Sequence, residues 1–206
     1  MAELEAIRLR AASCTQCPLH LTRTQVVFGR GNPGASIVLV GEGPGRDEDL
    51  QGRPFVGAAG QLLDKILSAV GLGEEDVFIT NTVLCRPPGN RVPLPAEMEA
   101  CQVHREAILD ALDPPIVVLL GATALKAFFG PKAGITAMRG QRLERDGRAY
   151  YPTFHPAALL RDPSRKRPVW RDFQRIAGDL RLIQVASGQG DATASPSPGP
   201  DGEGNR

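Results

Sequence analysis

The sequence contains few aromatic residues and no long hydrophobic segment. Only 5% of its 206 residues are Phe, Tyr or Trp. No apolar run approaches the roughly 20 residues that a membrane-spanning helix needs, and the N-terminus has no apolar signal-peptide core. We therefore expect a cytoplasmic protein without a membrane partner. Its 42% hydrophobic and 23% charged residues are typical of globular domains.

Cysteine is scarce, but the four cysteines have the spacing of a metal site. Cys14-Thr-Gln-Cys17 is a C-x-x-C pair, and fifteen residues separate Cys85 from Cys101. Structural disulfides are rare inside cells, so metal binding is the favoured interpretation. Four thiolates suit zinc or a [4Fe–4S] cluster, and the long interval between the two pairs favours the cluster without deciding it. Four buried cysteines without a ligand are the alternative.

Net charge is close to zero, at +1, yet the charges are unevenly distributed. Between Lys126 and Arg175 there are twelve basic and four acidic residues. Such a segment suits a polyanionic partner such as DNA. A solvated basic face without a partner is the other interpretation, and charge alone does not separate the two.

Strand-like and helix-like segments alternate along the chain. Compact apolar runs predict strands at 36–40, 77–83, 116–120 and 149–154, and three-to-four spacing predicts helices at 2–12, 60–70, 95–112, 122–129 and 168–184. This order predicts an α/β domain, residues 1–185, around a central, mainly parallel four-stranded sheet. Residues 186–206 are rich in Gly, Pro and Ser, which predicts a disordered tail.

Ligands of parallel sheets bind at the carboxyl ends of the strands. The glycine-rich stretch Gly41-Glu42-Gly43-Pro44-Gly45 follows the first predicted strand. It is not a dinucleotide fingerprint, because Arg46 occupies the position of the third glycine. A structural turn and a close approach to a ligand are both consistent with it.

Three further side chains near the predicted strand ends have the chemistry to bind a base. The Asn81 amide matches the O4 and N3–H edge of uracil, whereas cytosine presents the reverse pattern. Phe55 offers a face for base stacking, and His155 offers a titratable donor. Taken singly, each residue has a more ordinary interpretation: a strand-end amide, a core aromatic and a hydrogen-bonded histidine. Leu159, Leu160 and Arg161 have the composition of a DNA wedge with a phosphate contact.

The combination of motifs resembles the family 4 uracil-DNA glycosylases. It consists of four cysteines in this order, the 41–45 and 52–57 glycine motifs, Thr80-Asn-Thr-Val-Leu-Cys-Arg-Pro-Pro88 and His155-Pro-Ala-Ala-Leu-Leu160, and it extends over residues 1–185. The resemblance implies a three-layer α/β/α fold and hydrolysis of the bond between uracil and deoxyribose in DNA. This reaction leaves an abasic site for base excision repair.

The resemblance also implies roles for individual residues. The four cysteines would hold a structural [4Fe–4S] cluster. The backbone of Gly41, Glu42 and Gly43, together with Phe55, Asn81 and His155, would line the uracil pocket. Glu42, with Asn90 as its neighbour, would position water. Two departures from the relatives affect these expectations. Ala158 stands where relatives often have an aromatic residue, so insertion into DNA would depend on the leucines and Arg161. Gly43 stands where a crosslinking branch has glutamine, which argues against covalent capture of DNA.

The partner that follows is uracil-containing DNA, single- or double-stranded, bound by a monomer. Two alternatives remain. A non-catalytic iron–sulfur or zinc DNA-binding module would use the same basic segment, and a redox protein would use the cluster for electron transfer.

Overall fold

A mixed sheet runs through the part of the chain that the computed structural model describes, residues 2–186. Its strands, in chain order, are β1 (Arg30–Gly31), β2 (Ile37–Gly41), β3 (Val77–Asn81), β4 (Ile116–Leu120), β5 (Leu143–Arg145) and β6 (Arg148–Thr153). Their spatial order is β1-β3-β2-β4-β6-β5. The four predicted strands form the parallel centre, and β1 and β5 add an antiparallel strand at each edge.

Helices cover both faces of this sheet. They are α1 (Ala2–Ala12), α2 (Arg46–Gln51), α3 (Ala58–Ala69), α4 (Pro95–Ala100), α5 (Gln102–Leu112), α6 (Ala122–Phe129), α7 (Ile135–Met138), α8 (Pro156–Arg161) and α9 (Lys166–Ala186). Short 3-10 turns lie at Pro18–Leu21, Glu74–Asp76, Pro88–Asn90 and Pro163–Arg165.

The core is divided into two by the sheet, because alternate residues of each strand point to opposite faces. Val38 and Val117 pack with residues of α1, α5 and α6 on one face. Leu39 and Val118 pack with residues of α3 and α9 on the other. All residues of β2, β3 and β4 are buried, as expected for parallel strands covered on both sides. The three-layer α/β/α fold is confirmed.

Some element boundaries differ from the sequence prediction for local reasons. The helix predicted over 95–112 is two helices, α4 and α5, that meet at Cys101. The segment after His155, where the sequence analysis places no helix, is helical, because His155 caps α8 and Pro156 occupies its first turn. The predicted tail lies outside the described residues apart from Ala186, which ends α9. Across residues 2–186, no helix combines the length and apolar character needed to cross a membrane.

Candidate active site

Four side chains from distant parts of the sequence line one cavity at the carboxyl ends of the parallel strands. These are Phe55, Asn81, Asn90 and His155, and they surround a volume of about 350 Å3 that we call the strand-end cavity. Asn81 ends β3, and His155 follows β6 by two residues. The parallel register places these ends at the same edge of the sheet, so the predicted convergence of the three base-binding candidates is a feature of the structure.

The glycine loop forms one wall of this cavity. Its residues Gly41 and Gly43 have no room for a side chain. Gly41 pairs with Asn81 across β2 and β3. A Cβ atom on Gly41 would lie 2.4 Å from Asn81 Oδ1 and 2.7 Å from the Phe55 ring. On Gly43, a Cβ atom would lie 2.8 Å from Val83 Cγ2. These glycines therefore permit the close packing that brings the amide and the ring together.

Phe55 has a backbone conformation that is unusual for a residue with a side chain. Its φ is +54°, in the left-handed region. Gly60 is needed beneath it, since a Cβ atom there would lie 1.8 Å from the Phe55 carbonyl oxygen. Arg30 Nε donates to the Pro54 carbonyl oxygen at 3.1 Å. Surrounding contacts thus impose the conformation, a pattern that is concentrated at functional sites.

Glu48 connects the glycine loop to the loop that carries Phe55. Its Oε1 accepts hydrogen bonds from the backbone N–H groups of Val56 and Gly57, both at 3.0 Å. Its Oε2 accepts from the Gly45 N–H at 3.1 Å. Three backbone donors therefore share one carboxylate, which fixes the two loops relative to each other. This role of Glu48 was not predicted from the sequence, although an acidic residue in the first turn of a helix that follows a glycine indicates a contact with the backbone before the helix.

His155 is held as a neutral imidazole with a defined tautomer. Its Nδ1 accepts a hydrogen bond from the Ala157 N–H at 3.1 Å, which places the ring proton of the neutral form on Nε2. Burial is the main cause that lowers the pKa of His155 to about 4; the Arg161 charge contributes to this shift and Glu48 opposes it. The Phe55 and His155 rings are stacked, with centroids 5.5 Å apart and 28° between the planes. The Nε2–H group is therefore a preorganised neutral donor.

The Asn81 side chain is 2% exposed, and no described residue makes a hydrogen bond to its carboxamide. A buried amide normally has partners. Because Asn81 borders the strand-end cavity, its free donor and acceptor are available to a ligand there.

Glu42 faces a second, larger space beside the strand-end cavity. This space, the basic groove, has a volume of about 770 Å3, and Lys126, Arg161 and Arg165 are among its lining residues. His155 borders both spaces. Glu42 Oε2 accepts a hydrogen bond from Thr123 Oγ1 at 2.5 Å. Thr123 was not predicted as a site residue, although it lies two residues after Gly121, which directly follows β4.

Asn90 and Glu42 are not joined by a hydrogen bond among the described residues. Asn90 Oδ1 instead accepts from Arg86 Nε at 2.7 Å. Asn90 is exposed, with φ +55°, and borders the strand-end cavity, whereas the Glu42 side chain borders the basic groove. A shared role of the two residues stays a prediction.

Comparison with known proteins identifies the family of the chain. The family model described as the uracil DNA glycosylase superfamily matches residues 28–174. The chain belongs to the uracil-DNA glycosylase superfamily. A Type-4 uracil-DNA glycosylase from Thermotoga maritima is 48% identical over 182 residues, which cover 86% of this chain and 95% of the relative. A Type-4 uracil-DNA glycosylase from Archaeoglobus fulgidus is 43% identical, covering 87% and 94%.

A more distant relative distinguishes the types within the superfamily. A Type-5 uracil-DNA glycosylase from Pyrobaculum aerophilum is 28% identical over 183 residues, covering 73% of this chain and 80% of the relative. The higher identities to the Type-4 proteins confirm the family 4 resemblance found in the motifs.

The four cysteines of this superfamily member lie around one narrow cavity on the α1 and α5 side of the sheet. All four are free thiols. Arg23 Nη1 donates to Cys85 Sγ at 3.1 Å, and the Leu84 N–H lies 3.4 Å from Cys101 Sγ. Burial raises the pKa of Cys85, and raises that of Cys101 to about 12. Donors directed at the sulfur atoms suit thiolates, so this set of side chains fits a thiolate-bound group.

Within residues 2–186, no three His, Cys, Asp or Glu side chains converge closely enough to hold a single metal ion.

The predicted DNA wedge requires a correction at Leu159. Leu159 is 1% exposed and packs in the core with residues of α3 and α9. It is therefore a structural residue of α8, and the prediction that it inserts into DNA was wrong for this conformation. Leu160 is 50% exposed and Arg161 is also exposed, so these two remain candidates.

The basic segment is also less free than its composition indicates. Arg139 pairs with Asp172, Arg148 with Asp110 and Asp113, and Arg145 with Asp146. Within the segment, the basic residues that border the basic groove are Lys126, Arg161 and Arg165, and Arg165 is itself paired with Asp162. The positive charge next to His155 therefore comes from a subset of the segment.

Proposed function

We propose that this chain excises uracil from DNA by hydrolysing the N-glycosidic bond and leaves an abasic site for base excision repair. The observation that carries the proposal is the meeting of a free Asn81 carboxamide, the Phe55 ring and a neutral His155 donor at one cavity. The Type-4 relatives support the same activity.

Base selection depends on Asn81 and Phe55. The Asn81 amide donates to uracil O4 and accepts from N3–H, and a cytosine presents the opposite pattern. Because the Phe55 and His155 rings contact each other, a base does not fit between them. The uracil instead stacks on the part of the Phe55 face that opens into the strand-end cavity.

His155 stabilises the leaving base. As the glycosidic bond breaks, negative charge develops on uracil O2 and positive charge on the sugar. The Nε2–H group of neutral His155 donates to O2 and needs no proton from solvent. The backbone around Gly41 and Gly43 completes the wall of the cavity. Donors oriented before reaction toward a developing anion are worth about 10²–10³ in rate.

Glu42 acts on the sugar side of the bond. Its carboxylate lies in the basic groove, next to His155 but outside the strand-end cavity. The Thr123 hydroxyl occupies one of its oxygen atoms, which leaves the other for a water molecule. A carboxylate there offsets the positive charge of the oxocarbenium-like sugar and orients water for attack at C1′. Asn90 helps to position that water from the strand-end cavity.

DNA enters along the basic groove. Lys126, Arg161 and Arg165 bind phosphates without reading sequence. Leu160 supports the extruded uridine from the duplex side, because it is the exposed leucine of α8. Flipping costs a few kcal/mol in a paired duplex and less at a mismatch. One chain supplies every proposed site residue, so we propose that a monomer is sufficient for the activity.

Cys14, Cys17, Cys85 and Cys101 hold a [4Fe–4S] cluster. When bound, the cluster supplies a structural crosslink between α1, the end of the β3 segment and the junction of α4 and α5. Arg23 and the Leu84 N–H orient two of the sulfur atoms. The proposed role of the cluster is structural. The two alternative functions, a non-catalytic module and a redox carrier, do not require the neutral His155 donor beside Asn81.

The test is incubation with a 5′-labelled oligonucleotide containing one uracil, followed by alkali to cleave abasic sites. Strand cleavage at the uracil position, and none in the thymine-containing control, is the expected result. Binding without cleavage would support the non-catalytic module instead.

A further inference from the structure

Two hydrogen bonds of similar design connect β6 to α9. The Tyr151 hydroxyl donates to Asp179, and the Thr153 hydroxyl donates to Asp172. Tyr151 and Thr153 point to the same face of β6, and Asp172 and Asp179 are two helical turns apart on α9. Only the hydrogen bond between Thr153 and Asp172 lies at the end of β6, two residues before His155.

Asp172 is a buried carboxylate that uses both of its oxygen atoms. It is 4% exposed. Oδ2 accepts from Thr153 Oγ1 at 2.6 Å, and Oδ1 accepts from Arg139 Nη2 at 2.5 Å. Gly140 has φ +72°, and a Cβ atom there would lie 2.4 Å from Asp172 Oδ1. Close packing therefore holds the carboxylate in one position.

Thr153 in turn fixes the backbone that leads to His155. Its carbonyl oxygen accepts from the Gly121 N–H at 2.8 Å. Gly121 lies so close to His155 that an added Cβ atom would be 3.0 Å from the His155 Cβ. The side chain and backbone of Thr153 are thus both held two residues before the imidazole.

Phe154, between Thr153 and His155, is held by the same group. Arg139, the ion-pair partner of Asp172, lies over the Phe154 ring at 5.5 Å, and Arg165 lies over it at 4.9 Å. Asp172 therefore acts on two successive residues, Thr153 directly and Phe154 through Arg139. Neither contact reaches the reacting atoms.

We propose that Asp172, acting through Thr153 and Arg139, is a positioning residue that sets the direction of the His155 Nε2–H donor. This inference rests on the proposed function, since it assigns Asp172 to the same leaving-group step. It explains why a buried carboxylate of α9 contacts the strand end before His155. Small misplacements of a catalytic group cost up to about 10²-fold in rate.

The experiment compares Asp172→Asn with Asp179→Asn in full-length protein. The single acceptor oxygen of asparagine cannot accept from both Thr153 and Arg139, and the neutral amide removes the charge that pairs with Arg139. Asp179→Asn weakens the matched connection farther from His155. We expect D172N to lower the single-turnover cleavage rate at least about tenfold with unchanged DNA affinity, and D179N to retain the wild-type rate.

A second pair of variants covers the case in which D172N does not fold. Thr153→Val removes the hydroxyl at nearly constant shape, and Thr153→Ser keeps it. Loss of rate in T153V with recovery in T153S supports the proposal. Equal rates in T153V and wild type, or equal losses in D172N and D179N, overturn it. If wild-type protein itself does not cleave, the proposed function fails first, so the two failures are distinguishable.

Discussion

The ring of Phe55 is stacked on the ring of His155, with centroids 5.5 Å apart, although the two residues come from opposite halves of the chain. The proposed base-stacking face and the proposed donor to the leaving base are therefore in direct contact and form one stacked unit. Glu48 fixes one side of this unit, and the α8 cap contact fixes the other. Base binding and bond cleavage should respond together when the unit is disturbed.

The protonation of His155 gives a prediction about pH. Its pKa in the folded protein is about 4, below the ordinary 6.5, chiefly because of burial. The unfolded chain binds the proton first, so this group makes stability fall as pH drops from 6.5 toward 4, with no effect above that range. Removing the Arg161 charge in R161Q should raise the pKa. NMR titration of the His155 ring measures it, with R167Q as the control. An unchanged value in R161Q would contradict the charge effect.

Asn81→Asp should reduce uracil excision, because an ionised carboxylate has no donor for uracil O4. The same carboxylate can accept from the cytosine amino group, so cytosine excision above the wild-type level is also expected. Single-turnover assays with uracil- and cytosine-containing strands measure both. A wild-type rate on uracil would show that the amide does not read the base edge.

The two adjacent leucines of α8 should behave in opposite ways. Leu159→Ala should destabilise the fold by about 2–5 kcal/mol, because it leaves a cavity in the core. Leu160→Ala should change stability by less than about 0.5 kcal/mol but lower excision from duplex more than from single-stranded DNA. Thermal denaturation and parallel assays on the two substrates test this pair. Strong destabilisation by L160A would contradict the assignment.

Metal content tests the cysteine site. Protein purified without oxygen should contain iron and inorganic sulfide in equal amounts and absorb in the visible range. Cys17→Ser should lose both and melt at a lower temperature, since the crosslink between the segment after α1 and the rest of the chain would be lost. Stoichiometric zinc in the wild type would contradict the cluster.

Much of the site could be predicted because parallel strands end at a common edge. Asn81 ends β3, and His155 follows the end of β6. The parallel topology of these strands alone brings the two residues together. Contacts that depend on the path of a loop could not be predicted. Glu48 reaches Val56 only because the chain turns back after α2, and the burial of Leu159 requires knowing that 156–161 is helical.

The edge strands illustrate a second limit. β1 and β5 have two and three residues, too few for an alternating pattern to be read from sequence. They pair because neighbouring strands offer free backbone groups. The roles of Thr123 and Asp172 likewise depend on tertiary contacts. Thr123 contacts a residue that lies 81 positions away in the sequence, and Asp172 contacts one that lies 19 positions away.

The most direct test of the central claim is His155→Ala in a single-turnover assay on a uracil-containing duplex, with DNA affinity measured on the same preparation. We expect a cleavage rate lower by about 10²–10³-fold with affinity unchanged, because His155 is proposed to act on the leaving base. Cleavage at the wild-type rate would contradict it.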